Sequence, residues 1–130
     1  MAFGYGISLT PLQTLTFYNA IANNGKMVKP RFLKEVRSFD KVIETFDTQI
    51  INSSVCSKET INKVKQMMIN VVEKKHGTAH NIYDKNFSMA GKTGTCQTEY
   101  WKNPNLYISS FAGYFPAENP KYSCIVVIHK

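Results

Sequence analysis

Ser88-Met89-Ala90-Gly91-Lys92-Thr93-Gly94-Thr95-Cys96-Gln97 reads as a β-strand with two glycines inside it. Small residues lead in and a threonine-rich run leads out, which suits a pleated surface. Glycine weakens a strand interior, so these two mark a bulge or a close approach of another backbone. Between them a cation and a hydroxyl lie side by side. Lys92 brings a compact ammonium, and Thr93 a hydroxyl that can donate a hydrogen bond. Gly94 removes the side chain that would block a ligand's main chain. The set suits capture of a carboxylate-bearing, peptide-like ligand at a sheet edge. A lone Lys-Thr-Gly tripeptide also arises by chance at an ordinary strand end, so its neighbours must decide. A phosphate loop ending at Gly91-Lys92-Thr93 is excluded, because position 86 is Asn86 rather than glycine and strand, not helix, follows Thr93.

Working outward, residues 107–115 and 122–129 read as two further strands, the first closed by Pro116, with a turn over residues 117–120. The last is nearly continuous in apolar residues (Cys124, Ile125, Val126, Val127, Ile128), which predicts burial on both faces and makes Cys124 an inert core thiol. Short connections predict an antiparallel meander. Residues 98–106 form a polar and aromatic loop containing Tyr100, Trp101 and Pro104.

Upstream, Thr10 caps a helix, with Pro11 at its first position and Gln13 completing a capping box. Its apolar residues (Leu12, Leu15, Phe17, Tyr18, Ala20, Ile21, Ala22) lie on most sides, which predicts a buried helix. Asn24-Gly25 ends it with a left-handed cap. Residues 32–39 and 42–51 read as a hairpin around Asp40-Lys41. Ser57 caps a second helix from Lys58 to about Glu73. Ile61, Val64, Met68, Val71 and Val72 give it one apolar stripe, opposite Lys58, Asn62, Lys65 and Lys74. Residues 75–80 then break the pattern and form a loop into the central strand.

The composition suits one globular domain, and no run is long enough to span a bilayer. The net charge of +7 first suggests nucleic acid. The lysines are scattered, however, and no basic run is interleaved with aromatics, so a solvated basic surface fits better and nucleic acid is not an expected partner. Cys56, Cys96 and Cys124 form no close pairs, against a disulfide framework or a thiolate zinc site. Gly77 between His76 and His80 argues against a helix that would let them share a metal. No metal or other cofactor is expected.

Four segments now stand in order: Phe3-Gly4-Tyr5-Gly6 with Thr10-Pro11-Leu12-Gln13; Ala22-Asn23-Asn24-Gly25-Lys26 with Lys29-Pro30; Ala90-Gly91-Lys92-Thr93-Gly94-Thr95; and Phe111-Ala112-Gly113-Tyr114-Phe115-Pro116. Together they resemble the penicillin-recognising enzymes. More narrowly, they resemble the C-terminal part of the transpeptidase domain of class B, division-type (septal) penicillin-binding proteins. The resemblance implies an α+β fold: an antiparallel sheet of about three core strands, a separate hairpin and packed helices. It implies a D,D-transpeptidase that cross-links peptidoglycan through a serine acyl-enzyme. Its partners would be a stem peptide ending in D-Ala-D-Ala, β-lactam antibiotics that imitate it, and divisome proteins. It also implies the periplasmic face of the cytoplasmic membrane, with an anchor outside this chain. Substrate-binding roles fall on Lys92 (electrostatics and attraction of the carboxylate), Thr93 (a hydrogen bond to it) and Gly94 (room along the strand). The backbone N–H of Thr95 would be one of two oxyanion donors, worth about 3 kcal/mol of barrier in comparable enzymes.

Two of the family's three motifs are missing. No Ser-x-Asn occurs, and the one Ser-x-x-Lys, Ser38-Phe39-Asp40-Lys41, straddles a hairpin turn rather than a helical turn. The expectation is therefore a partial domain over residues 1–130, with no catalytic residue of its own and no activity alone. The serine and its lysine would lie upstream and a final helix downstream. The 122–129 strand would then be an edge through which the isolated chain dimerises. A non-catalytic peptidoglycan-binding or divisome assembly module that retains the Lys-Thr-Gly strand is the alternative.

Overall fold

The computed structural model describes residues 7–97 and 106–129. Phe3, Gly4, Tyr5, Gly6, Tyr100, Trp101 and Pro104 lie outside the described residues. The elements run α1 (Pro11–Ala22), β1 (Met27–Val28), β2 (Glu35–Ser38), β3 (Lys41–Thr45), β4 (Ile50–Asn52) and α2 (Lys58–Glu73). A 3-10 turn (His80–Ile82) follows, then β5 (Ala90–Gln97), β6 (Tyr107–Phe115) and β7 (Tyr122–His129). The fold is α+β, as expected: an antiparallel sheet in the order β5-β6-β7, with β2–β3 a separate hairpin.

Both helices begin where the sequence places them. The Thr10 side chain accepts from the Gln13 N–H at 3.2 Å, and the Gln13 side chain accepts from the Thr10 N–H at 2.8 Å, which closes the capping box. Past Ala22, Asn24 (φ 54°) and Gly25 (φ 89°) turn left-handed, and the Gly25 N–H donates to the Ala20 carbonyl at 2.7 Å. At α2 the Ser57 hydroxyl accepts from the Thr60 N–H at 3.2 Å.

The stripe on α2 is the face that packs: Ile61, Met68 and Val72 are buried. α1 buries less than its composition predicts. Ala20, Ile21 and Ala22 are buried, whereas Leu12 and Phe17 are exposed. The core gathers Ile21 and Ala22 of α1, Met68 of α2, Ala90 and Tyr114 of the sheet, and Ala117 of the bend after β6. Two polar ties support this packing, one from α1 to β7 and one between the segments flanking β5 and β6. The Asn19 amide donates to Ser123 Oγ at 3.0 Å. Ser88 Oγ accepts from the Ala117 N–H at 3.2 Å and donates to Glu118 Oε2 at 2.7 Å. That hydrogen bond from Ser88 holds the Glu118 carboxyl below its ordinary range.

Further expectations change. The 42–51 run is two strands: β3 pairs with β2, and β4 turns away to pair with β1. The hairpin turn is Phe39–Asp40, not Asp40-Lys41: Phe39 takes φ 52°, and Ser38 pairs with Lys41 across the turn. The central strand begins at Ala90 rather than Ser88. The last correction is β7, which is not buried on both faces. It pairs only with β6 among the described residues, Val126 and Ile128 are 54% and 62% exposed, and Cys124 is an exposed thiol rather than a core one. A continuous apolar run describes a strand that has cover, and here only the helix side supplies it.

The glycines inside β5 mark close approach, not a bulge, because the β5–β6 register runs unbroken from Ala90↔Tyr114 to Gln97↔Tyr107. A Cβ on Gly91 would stand 2.2 Å from the Phe111 ring.

The loop leaving α2 packs closely against the end of that helix. The Gly77 N–H donates to the Lys74 carbonyl at 2.7 Å, and the Ala79 N–H to the Val71 carbonyl at 3.1 Å. A Cβ on Gly77 would stand 2.2 Å from the Val71 carbonyl oxygen. Gly77→Ala is therefore expected to destabilise the fold by about 1–3 kcal/mol, the usual effect of overpacking a rigid site. An unchanged midpoint in chemical denaturation would refute this.

Tyr114 is 1% exposed, and its hydroxyl has no partner among the described residues. Burial pushes its pKa from 10.0 up to about 12. The folded state thus keeps this proton more tightly than the unfolded chain, and the stability it contributes is complete below pH 10 and lost as the pH rises toward 12. Alkaline unfolding followed by tyrosinate absorbance should move to higher pH in Tyr114→Phe. An identical transition in both proteins would contradict the assignment.

Candidate functional site

β5 is an end strand of its sheet: β6 lies on one side, and no strand pairs with the other among the described residues. In an antiparallel strand, alternate residues turn their backbone N–H and C=O away from the partner. The outer edge of β5 thus presents a row of main-chain groups to which an extended peptide can add.

Lys92, Thr93, Gly94 and Thr95 follow one another on this edge strand. Lys92 is exposed, and its Nζ donates to the Thr93 carbonyl at 2.7 Å. That uses one of three ammonium protons. Among the described residues, Lys92 is also the single charged one lining a groove of about 580 Å³, whose other walls include Phe17, Tyr18, Ile21, Val64 and Met68. An apolar wall with one cation at its rim is poorly screened by water, so the charge acts there on an anion more strongly than a freely solvated lysine would. Burial raises the Tyr18 pKa, in keeping with that environment.

Thr93 is half-buried, and its Oγ1 lies 2.7 Å from Thr78 Oγ1, on the loop that leaves α2. Gly94 is needed for space within the sheet as well as beside a ligand, since a Cβ there would stand 2.7 Å from Ser110 Oγ on β6. Thr95 is exposed and pairs with Ser109.

The four predicted residues are thus contiguous and accessible. Ser38 and Lys41 are not brought to them: they sit at the β2–β3 turn, facing each other as a hairpin pair. Among the described residues, no group of three His, Cys, Asp or Glu side chains could hold a metal. His80 Nδ1 is 3.1 Å from the Val72 carbonyl, and its ring stacks on Tyr83. Thr78 and Ser110 are contacts that sequence reading missed. The Thr78–Thr93 contact is made by tertiary folding across an irregular loop, and no period or cap signals it.

The family model described as the penicillin binding protein transpeptidase domain matches residues 1–130. The chain is 31% identical to Stage V sporulation protein D of Bacillus subtilis, over 98% of this chain and 20% of that protein. It is 28% identical to Peptidoglycan D,D-transpeptidase FtsI of Buchnera aphidicola, over 100% of this chain and 22% of that protein. Among solved structures it is similar to apo penicillin binding protein 3 of Mycobacterium tuberculosis, with TM-score 0.83, 33% identity and 97% of this chain on 30% of that one. The ampicillin complex of that protein gives TM-score 0.80 and 32% identity, with 98% of this chain on 30% of that one. The chain spans about a fifth of the length of the curated relatives it matches. With the family model matched end to end and the Lys-Thr-Gly strand at a sheet edge, the chain belongs to the penicillin-binding protein transpeptidase family.

Proposed function

We propose that this chain is the C-terminal part of the transpeptidase domain of a longer peptidoglycan D,D-transpeptidase, and that β5 is the strand on which the donor stem peptide lies. The observation that carries the reading is the contiguous Lys92-Thr93-Gly94-Thr95 on a strand whose outer edge pairs with no other strand among the described residues, beside an apolar groove. The Buchnera relative is named for D,D-transpeptidation and one similar structure holds ampicillin, which supports the same reading.

In this proposal the ligand's terminal carboxylate is drawn by Lys92 and accepts a hydrogen bond from Thr93. Gly94 lets its main chain lie along β5. The backbone N–H of Thr95 donates to the carbonyl oxygen as negative charge develops on it. A serine from another part of the protein attacks the penultimate D-Ala carbonyl. Terminal D-Ala leaves with a proton, and the resulting ester is opened by an amine of a neighbouring stem, which returns the serine proton. A β-lactam enters the first step, and its opened ring remains attached. The chemistry would take place on the outer, periplasmic face of the cytoplasmic membrane. Among the described residues no helix is long and apolar enough to cross a membrane.

Fluorescent-penicillin labelling is the test. The full-length parent should label covalently, and residues 1–130 alone should not. If the parent fails to label, a non-catalytic peptidoglycan-binding or divisome module becomes the better reading. Labelling of the isolated chain would place a nucleophile within it and overturn the partial-domain reading. In the parent, Thr93→Val removes a hydrogen bond to a charged group, worth about 1.5–3 kcal/mol. Acylation should slow by about tenfold or more, and an unchanged rate would remove Thr93 from the site.

A further inference from the structure

Thr78 Oγ1 and Thr93 Oγ1 are 2.7 Å apart, and either can be the donor. Each threonine hydroxyl has one proton and two lone pairs. The pair therefore has two arrangements. With Thr93 donating to Thr78, Thr93 turns only lone pairs outward. With Thr78 donating to Thr93, the Thr93 proton is free to point outward. An ionised carboxylate is an acceptor only, so it is repelled by the first arrangement and bound by the second.

We propose that Thr78 is a positioning residue for carboxylate recognition: its hydroxyl donates to Thr93 and thereby frees the Thr93 proton for the ligand. This rests on the reading of β5 as a carboxylate-binding strand. In the resulting chain, Thr78 O–H to Thr93 O–H to carboxylate, each hydrogen bond polarises the next and strengthens it by about 10–30%. No proton is transferred and no bond is broken.

The placement of Thr78 suits this role. Gly77 before it is packed against the last carbonyls of α2, and Ala79 after it is 2% exposed, with its N–H donating to the Val71 carbonyl at 3.1 Å. The His80 N–H donates to the Gly77 carbonyl at 3.0 Å. The hydroxyl is thus carried on backbone pinned on both sides, as a group that orients another must be. A mere structural tie between the α2 loop and β5 would need no particular donor direction, and its loss would affect every ligand alike.

The test uses the full-length parent, with Thr78→Val removing the hydroxyl at nearly constant shape and Thr78→Ser retaining it. Acylation rate constants are measured for a penicillin and for its methyl ester, in which the carboxylate is masked. Thr78→Val should slow acylation by the free acid by about tenfold while changing the ester rate little, and Thr78→Ser should restore the free-acid rate. If Thr78→Val does not fold, Thr78→Ala carries the same comparison. Equal losses for acid and ester, or no loss for either, would overturn the proposal while leaving the transpeptidase reading intact. A wild-type parent that reacts with neither compound would overturn both.

Discussion

The antiparallel ladder between β5 and β6 is the constraint on which the site depends. Eight residue pairs run in register from Ala90↔Tyr114 to Gln97↔Tyr107. Side chains alternate between faces with period two, so a slip of one residue would take Lys92 from the groove and Thr93 from Thr78 together. Packing holds the register at one end: Ala90 is fully buried in the cluster that holds Met68 and Tyr114. Gly91 holds it further along, because its missing side chain is the space filled by the Phe111 ring. The glycines of the motif thus belong to the sheet's own packing before any ligand arrives.

Local signals were legible because local chemistry decides them. Thr10 with Gln13, Ser57 with Thr60, and Asn24-Gly25 set the ends of both helices through hydrogen bonds and dihedrals that involve only near neighbours. The central meander was legible too, because strong strand formers lie between evident turns. What failed was whatever depends on the cover over an element. β7 reads as a buried strand by composition, yet Val126 and Ile128 are exposed. α1 likewise buries only its final turn. The division of residues 42–51 into β3 and β4 was hidden because strand composition does not say which partner a strand takes.

The candidate site shows the same division. Lys92, Thr93, Gly94 and Thr95 were legible as one tripeptide and its neighbour on one strand. Thr78 was not, because nothing in Lys75-His76-Gly77-Thr78 distinguishes a threonine that meets Thr93 from one in solvent. Only the docking of α2 on β5, and the packing of Gly77 beneath the helix end, bring the two hydroxyls together.

Charge, hydroxyl and strand edge have separate ranges and separate tasks. Two unit charges 4 Å apart attract by about 1 kcal/mol in bulk water and about 4 near a protein surface. Lys92 at the rim of an apolar groove therefore draws an anion from a distance but fixes its orientation poorly. The Thr93 hydroxyl acts only at contact, and in the proposed arrangement its direction is set by its bond to Thr78 on the other side. The outer main-chain edge of β5, unpaired by another strand among the described residues, would act only on a ligand that is itself extended and carries amide groups. A small anion satisfies the first, a carboxylic acid the first two, and a peptide-like carboxylate all three. In the proposed reading, selectivity for such a ligand comes from the three groups acting on it together.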